Sequence, residues 1–105
     1  MRVALLLSVF TLFAAVSASA QTEKGKQVYA AQKCSVCHSI AGAGNKKGEL
    51  DKVGSTLSEA EIRGWITNAP DMAAKAKAER KPAMKAYNLP KDDLDALVAY
   101  LQTLK

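Results

Sequence analysis

Both cysteines of the chain and its only histidine lie in one segment, Cys34-Ser35-Val36-Cys37-His38. The chain has 105 residues, which suits a single domain. A domain of this size buries only a modest apolar core, and it usually needs a disulfide, a metal or a cofactor for stability. The cysteine segment therefore constrains the fold most, because it holds the residues that could supply such a stabilising element.

The spacing Cys-x-x-Cys-His is typical of covalent haem attachment. Two thiols separated by two residues reach the two vinyl groups of one porphyrin, and the adjacent imidazole then falls beneath the iron. The resulting thioether bonds keep the haem from leaving a small protein. We therefore interpret Cys34 and Cys37 as the attachment sites of one haem c and His38 as its proximal iron ligand.

Three other interpretations of the segment compete with haem attachment. A thioredoxin-like redox pair uses Cys-x-x-Cys on a βαβ framework, whereas this chain shows no strand-like alternation. Structural zinc needs four ligands, and the two cysteines with the histidine supply three. A disulfide across so short a loop would stabilise little. We rank thioredoxin-like chemistry second to haem.

The start of the chain is typical of a secretory signal peptide. Arg2 gives a positive start, Val3–Val16 is mostly apolar, and Ala18-Ser19-Ala20 offers a small-residue cleavage site. The apolar run is too short for a bilayer span, which takes roughly 20 apolar residues. We predict a signal peptide at 1–20 and an exported, periplasmic domain at 21–105, with no membrane span after cleavage.

The residue pattern of the predicted exported domain, 21–105, indicates helices joined by loops. Ser58 and Glu61 form a Ser-x-x-Glu capping box at the start of a helix that ends at Asn68-Ala69-Pro70. Another helix begins near Pro90, because proline suits a first helical turn. The other predicted features are a helix from about 23 to 33, a glycine loop at 41–45, irregular chain at 46–54, a short helix at 71–81 stopped by Pro82, and an apolar stripe at Leu94, Leu97, Val98, Leu101 and Leu104.

The formal net charge of the chain is +5, and lysines supply most of the positive charge. Such a surface favours electrostatic docking to an acidic partner. The export signal and the scarcity of aromatic residues argue against a nucleic-acid partner, which needs stacking platforms. The candidates for a docking ring flank the haem-bearing segments: Lys33, Lys46, Lys47, Lys81 and Lys85.

Further matches to a known family extend over nearly all of the predicted domain. They are Gly25 and Tyr29 before the cysteines, Val53-Gly54, the run Glu61–Asn68 and the run Leu97–Leu101. Together with the cysteine motif, they make the chain resemble the class I monohaem cytochromes c of the bacterial periplasm. The resemblance implies an all-α, small cytochrome c fold, in which three main helices and their loops wrap around one haem.

The second axial ligand of the iron is less constrained by the sequence. Because His38 is the only histidine, a second histidine ligand from the same chain is excluded, and Met, Lys, water or an open position remain. In the resembled family the distal methionine lies in a loop shortly before the last helix, where this chain has Met84. The resemblance therefore implies Met84 as the distal ligand, with Met72 as the alternative.

The chain departs from the family at two places beside these ligands. The family often has Pro directly after the ligand Met, and here Lys85 follows Met84. The family also often has Gly-Pro-x-Leu, whose Pro carbonyl accepts the proximal imidazole N–H, whereas this chain reads Lys47-Gly48-Glu49-Leu50. The Gly48 carbonyl remains available for that hydrogen bond, which orients the ligand.

Two aromatic residues complete the candidate site. The resemblance suggests that the indole N–H of Trp65 reaches a haem propionate, and the alternative is a core aromatic beside Ile62 and Ile66. Tyr87 follows the ligand loop, and we expect it to pack against the haem edge.

The sequence predicts a single-electron carrier rather than an enzyme, because it holds no obvious set of acid, base and nucleophile. Such a carrier would serve redox protein partners, on its own or as the cytochrome subunit of a dehydrogenase. The alternative is a haem-based ligand-binding or sensing protein with an open or labile sixth position. The sequence does not identify the partner, the reduction potential or the oligomeric state.

Overall fold

The computed structural model describes residues 18–105, so the predicted signal peptide lies outside the described residues except for its last three positions. The elements in chain order are α1 (Ala18–Ala31), a 3-10 turn (Cys34–Val36), β1 (Ser39–Ile40), β2 (Ala43–Gly44), a second 3-10 turn (Lys46–Gly48), α2 (Val53–Thr56), α3 (Glu59–Thr67), α4 (Ala69–Ala76) and α5 (Lys91–Gln102). Helices dominate, which confirms the predicted all-α class. Within this described range, no helix is long and apolar enough to cross a bilayer.

The start of α3 is set by local chemistry, as predicted. The Ser58 hydroxyl accepts a hydrogen bond from the Glu61 backbone N–H at 3.2 Å, and the Glu61 carboxylate accepts one from the Ser58 N–H at 3.1 Å. This reciprocal capping box satisfies two amides that no helical carbonyl reaches. Ile62 and Ile66 then face the core and are buried, so the capping box fixes which face of α3 points inward.

Two helices have ends that the sequence pattern placed wrongly. Within the described residues the first helix already includes Ala18 rather than starting near 23, and it runs through the predicted cleavage position, which remains a prediction. It ends at Ala31 because Lys33 adopts a left-handed backbone with φ of 56°. The fourth helix is Ala69–Ala76 rather than 71–81, and Lys77 ends it with φ of 52°. The left-handed residue stops the helix well before Pro82.

A short antiparallel β-ladder corrects the expectation of helices and loops alone. Ser39 pairs with Gly44 and Ile40 pairs with Ala43. The two residues between the strands, Ala41 and Gly42, have φ of 50° and 80°. Positive φ at both central positions matches the twist that a tight hairpin needs. Strands of two residues carry no alternation pattern, so periodicity could not reveal them.

The core lies mainly between α1 and α5. The side chains of Val28, Leu97, Val98 and Leu101 are buried there and meet Ile62 and Ile66 of α3. The two helices approach closely at Gly25, where a Cβ atom would collide with the Ala96 carbonyl and would lie 2.5 Å from the Tyr100 Cβ. Tyr29 and Tyr100 pack edge to face, with ring centroids 6.2 Å apart at 79°. This packing fixes α1 immediately before the cysteine segment.

An ion-pair network joins α3 to α5 at the surface. The Arg63 guanidinium donates to the Asp95 carboxylate at 2.8 Å and to Glu59 at 3.0 Å. Lys91 donates to the second oxygen of Asp95, also at 2.8 Å. The hydrogen bonds from Lys91 and then from Arg63 lower the pKa of Asp95 below its ordinary value of 3.8. The network orients α3 relative to α5, and it requires an ionised Asp95.

We expect Gly25→Ala to lower the free energy of unfolding by about 1–3 kcal/mol, because the added methyl group overpacks the contact between α1 and α5. Gly64→Ala is the matched control, since it is also a helical position but its Cβ would meet the flexible Met72 sulfur at 3.1 Å. At position 64 the higher helix propensity of alanine relative to glycine, about 1 kcal/mol, should offset the unfavourable contact with the Met72 side chain. Urea unfolding followed by circular dichroism measures both, and equal effects would contradict the close approach at Gly25.

We expect Asp95→Asn to reduce the acid sensitivity of the fold. Because the folded-state pKa of Asp95 is lowered, its contribution to stability is present above the unfolded value of 3.8 and is lost as pH falls through the lower folded value. Wild-type protein should therefore lose more stability between neutral pH and pH values below 3.8 than the variant does. Thermal unfolding across pH checks this, with Asp51→Asn as the control, and parallel pH profiles would contradict the link.

Candidate functional site

The cysteine segment begins where α1 stops. Because Lys33 is left-handed, the chain turns sharply into the 3-10 turn at Cys34–Val36. The backbone N–H groups of Cys37 and His38 both donate to the Cys34 carbonyl, at 3.1 and 2.9 Å. The two thiols and the imidazole are half-buried, and the thiols are not joined to one another. One tight turn thus presents both sulfur atoms and the imidazole together.

Asn45, the residue directly after β2, holds this turn through hydrogen bonds. Its backbone N–H donates to the carbonyls of Ser35 and His38 at 3.1 and 2.9 Å. Its side-chain amide donates to the Val36 carbonyl at 3.2 Å, and its side-chain oxygen accepts from the Lys47 N–H at 3.1 Å. Sequence reasoning assigned Asn45 only to a loop, because nothing in the linear pattern indicates that it bridges two turns.

The imidazole of His38 has a fixed orientation. Its Nδ1 lies 2.9 Å from the Gly48 carbonyl oxygen. A carbonyl can only accept, so Nδ1 carries the proton and the Nε2 lone pair remains available to a metal. Burial lowers the pKa of His38, the hydrogen bond to Gly48 opposes that change, and the Arg80 charge lowers the pKa further. The predicted use of the Gly48 carbonyl is confirmed despite the missing proline.

Arg80 is a site residue that the sequence analysis missed. Its guanidinium Nη2 donates to the Cys37 carbonyl at 2.6 Å, although 43 residues separate the two in the chain. Arg80 lies on the irregular chain between α4 and α5, four residues before Met84. No local sequence pattern could have found a contact between such distant residues.

The two candidate methionines have different surroundings. Met84 is half-buried on the irregular chain between α4 and α5. Met72 lies on α4, where its sulfur is 3.1 Å from the position that a Gly64 Cβ would take. The Met72 side chain therefore fills the space that Gly64 leaves open on α3. This packing occupies the Met72 thioether within the fold.

The pKa values of two tyrosines respond to the cysteine segment. Burial raises the pKa of Tyr87, and the charges of Cys34 and Cys37 raise it further. Burial and then Cys34 raise the pKa of Tyr29 to about 12. The Tyr29 hydroxyl is buried and has no hydrogen-bond partner in the part of the chain that the structure describes. Trp65 is half-buried and, among the described residues, is not one of those that pack on the apolar core.

The surface beside the segment is a basic cleft of about 530 Å³. It is lined by Val36, Cys37, Asn45, Lys47, Arg80, Lys81 and Pro82. Val36 is a large apolar side chain with 67% of its surface exposed. The cleft thus places an exposed apolar residue next to three cationic side chains. Lys85 does not line this cleft, and its ammonium lies 5.0 Å from the centroid of the Tyr87 ring.

The sequence model of the cytochrome c family matches residues 22–105. The chain belongs to the cytochrome c family. No curated protein and no solved structure gives a significant match. Membership in the family indicates a haem-based electron-transfer protein. Proteins of this family carry covalently bound haem c, act with redox partners and are generally not enzymes.

The residues of this cytochrome fit covalent haem c. Its donor set is two thiols and a neutral imidazole whose Nε2 lone pair is available. The buried Tyr29 hydroxyl is a further polar group that has no hydrogen-bond partner among residues 18–105. Cys34 and Cys37 would hold the haem covalently, and His38 would bind its iron. Haem supplies a one-electron ferric and ferrous couple when bound.

The structure does not support the zinc or the thioredoxin-like interpretation of the cysteine motif. Within residues 18–105, no group of three or more His, Cys, Asp or Glu side chains is arranged to hold a metal ion such as zinc. Burial raises the pKa of the Cys34 thiol, whereas a thioredoxin-like nucleophile needs a lowered one. The strands of the described chain have two residues each, which is not a βαβ framework.

We expect Gly48→Ala to disturb the proximal side of the cytochrome. A Cβ atom there would collide with the Cys37 carbonyl and the Arg80 guanidinium and would lie 2.9 Å from His38 Nδ1. The free energy of unfolding should fall by about 1–3 kcal/mol, and the His38 Nδ1 proton should exchange faster with solvent. Nuclear magnetic resonance and urea unfolding measure these changes. Glu49→Ala, one residue away and exposed, is the control, and similar behaviour of both variants would contradict the crowding.

Proposed function

We propose that this cytochrome is a periplasmic single-electron carrier with one haem c. In this proposal Cys34 and Cys37 hold the haem, His38 is its proximal iron ligand and Met84 is its distal ligand. The observation that carries the proposal is the hydrogen bond of 2.9 Å between His38 Nδ1 and the Gly48 carbonyl. It orients the imidazole and leaves Nε2 for iron, as the partner groups of metal-binding histidines usually do.

A single haem is proposed because the chain contains one Cys-x-x-Cys-His motif and one histidine. The motif uses both cysteines, so no thiol remains for a second attachment. The buried core of α1, α3 and α5 is formed by apolar side chains packed on one another. One bound haem would add to this modest core, which supports the proposal on grounds of stability.

Met84 is proposed over Met72 for two reasons. The Met72 sulfur packs against Gly64 of α3 and helps to join α4 to α3. Met84 is half-buried on the chain before α5, three residues before Tyr87, which is also half-buried. The backbone N–H of Tyr87 also donates to the Ile66 carbonyl at 2.8 Å, which anchors the segment to α3. A thioether ligand would raise the reduction potential.

Trp65 and Tyr87 are proposed to contact the haem. Trp65 is half-buried on α3 beside the buried Ile66 and is not used in the apolar core of the described chain. Its indole N–H is therefore a candidate donor to a propionate. Tyr87 is half-buried and packs against the apolar core from the chain before α5, which suits packing against the haem edge.

The carrier role follows from what the protein side chains do. His38 is held by Gly48, the cysteine turn is held by Asn45, and the ligand segment is anchored through Tyr87. Fixed ligands change little in geometry when iron gains or loses one electron, so little reorganisation opposes the transfer. The electron comes from one redox partner and passes to another. The same site would serve a separate carrier or the cytochrome subunit of a dehydrogenase.

The basic cleft is proposed as part of the docking surface for partners with acidic surfaces. Lys47, Lys81 and Arg80 line it beside the exposed Val36. An apolar contact surrounded by cations suits a transient complex, in which charge raises the encounter rate. The formal net charge of +5 has the same sign as the cleft. Lys33 and Lys46, beside the cysteine segment and exposed, extend the same surface.

We expect the exported wild-type protein to show a reduced c-type spectrum that carbon monoxide does not change. Met84→Ala should open the sixth position, so that the ferrous variant binds carbon monoxide and its reduction potential falls. Met72→Ala is the control and should keep the closed position, with lower stability only. Carbon monoxide binding by wild type would favour the sensing alternative, and protein without covalent haem would contradict the proposal.

We expect electron exchange with an acidic redox partner to slow about tenfold or more as ionic strength rises from low to above physiological values. Lys47→Gln and Lys81→Gln should each lower the rate at low salt and flatten this dependence. Lys24→Gln is the control, because Lys24 pairs with Asp93 on the surface of α1 and α5 at 3.5 Å. Stopped-flow mixing measures the rates, and a flat salt dependence in wild type would contradict the docking surface.

A further inference from the structure

The side chain of Arg80 connects the two halves of the proposed haem site. Arg80 precedes Met84 by four residues, and its Nη2 donates to the Cys37 carbonyl at 2.6 Å. Cys37 is followed directly by His38. One side chain therefore joins the segment of the proposed distal ligand to the segment of the proximal ligand. A carbonyl that accepts from a guanidinium makes a strong, charge-assisted hydrogen bond.

The guanidinium occupies space that Gly48 leaves open. His38 Nδ1 lies 2.9 Å from the point where a Gly48 Cβ would be, and the Cys37 carbonyl and Arg80 Nη1 lie closer still. Arg80 thus lies against the hydrogen bond between His38 Nδ1 and the Gly48 carbonyl. A proline at position 48, as in the resembled family, would fill the same space with its ring. Glycine at this position is what admits the arginine.

The Arg80 charge is not neutralised by an acidic neighbour within the part of the chain that the structure describes. The ion pairs found there involve other cations, namely Lys24, Lys26, Arg63 and Lys91. Arg80 instead donates to the backbone carbonyl of Cys37, the residue directly before His38.

We propose that Arg80 is a positioning residue for the proximal ligand, which shields the bond between His38 and Gly48 and raises the reduction potential of the site. The inference rests on the proposed function, because it needs iron bound to His38. Ferric haem carries one more positive charge than ferrous haem, so a cation beside the proximal imidazole disfavours the ferric state. The hydrogen bond between His38 Nδ1 and the Gly48 carbonyl keeps the imidazole from rotating, as outer partners of metal ligands do, and Arg80 lies beside this bond.

The test compares the haem-loaded wild type with Arg80→Gln, Arg80→Lys and the control Lys75→Gln. Lys75 is an exposed lysine in the last turn of α4, so its removal changes the net charge as Arg80→Gln does. Voltammetry measures the reduction potential, and nuclear magnetic resonance measures the exchange of the His38 Nδ1 proton with deuterium. The visible spectrum of each protein first confirms covalent haem, which tests the proposed function separately.

We expect Arg80→Gln to lower the reduction potential and to speed exchange of the His38 Nδ1 proton about tenfold or more, since the hydrogen bond loses its cover. Arg80→Lys should recover the potential in large part, because it keeps the charge, while the exchange stays fast. Lys75→Gln should match wild type in both. A wild-type potential and a wild-type exchange rate in Arg80→Gln would overturn the inference and leave the proposed function intact. Wild-type protein without covalent haem would overturn both.

Discussion

The hydrogen bond between His38 Nδ1 and the Gly48 carbonyl is the contact on which the site depends. It sets the tautomer of the imidazole, so Nε2 is the nitrogen available to a metal. The chain supports this bond from three directions. Asn45 braces the turn that carries His38, Gly48 admits a close approach, and Arg80, 43 residues after Cys37 in the chain, lies against the bond.

The packing of α1 on α5 determines where that site lies. Because Gly25 has no side chain, the helices come together closely enough for Tyr29 and Tyr100 to meet edge to face. The cysteine turn begins three residues after α1 ends, so its position follows from this contact. The ion pair between Arg63 and Asp95 then orients α3, which brings Trp65 and the anchor of Tyr87 to the same region.

Sequence patterns were sufficient where the physical signal is local. The capping box at Ser58 and the cysteine motif are contiguous, so both could be found without a structure. The end of α4 was placed wrongly because a left-handed lysine stops it, and lysine carries no signal for that conformation. The β-ladder is too short for any periodicity. Arg80 was missed because it contacts Cys37, 43 residues earlier in the chain. No local sequence pattern indicates a contact between residues so far apart.

The pairing of α1 with α5 has a consequence for the order of assembly. The two helices come from opposite ends of the described chain, so their contact closes a long loop and is entropically costly early in folding. Such distant contacts form late compared with local turns. Until they form, the segment of Cys34 and Cys37 is held only by local contacts, namely its own 3-10 turn and the hydrogen bonds from Asn45. The cysteine turn can therefore form before the core closes, and packing of α1 on α5 then fixes its position in the domain.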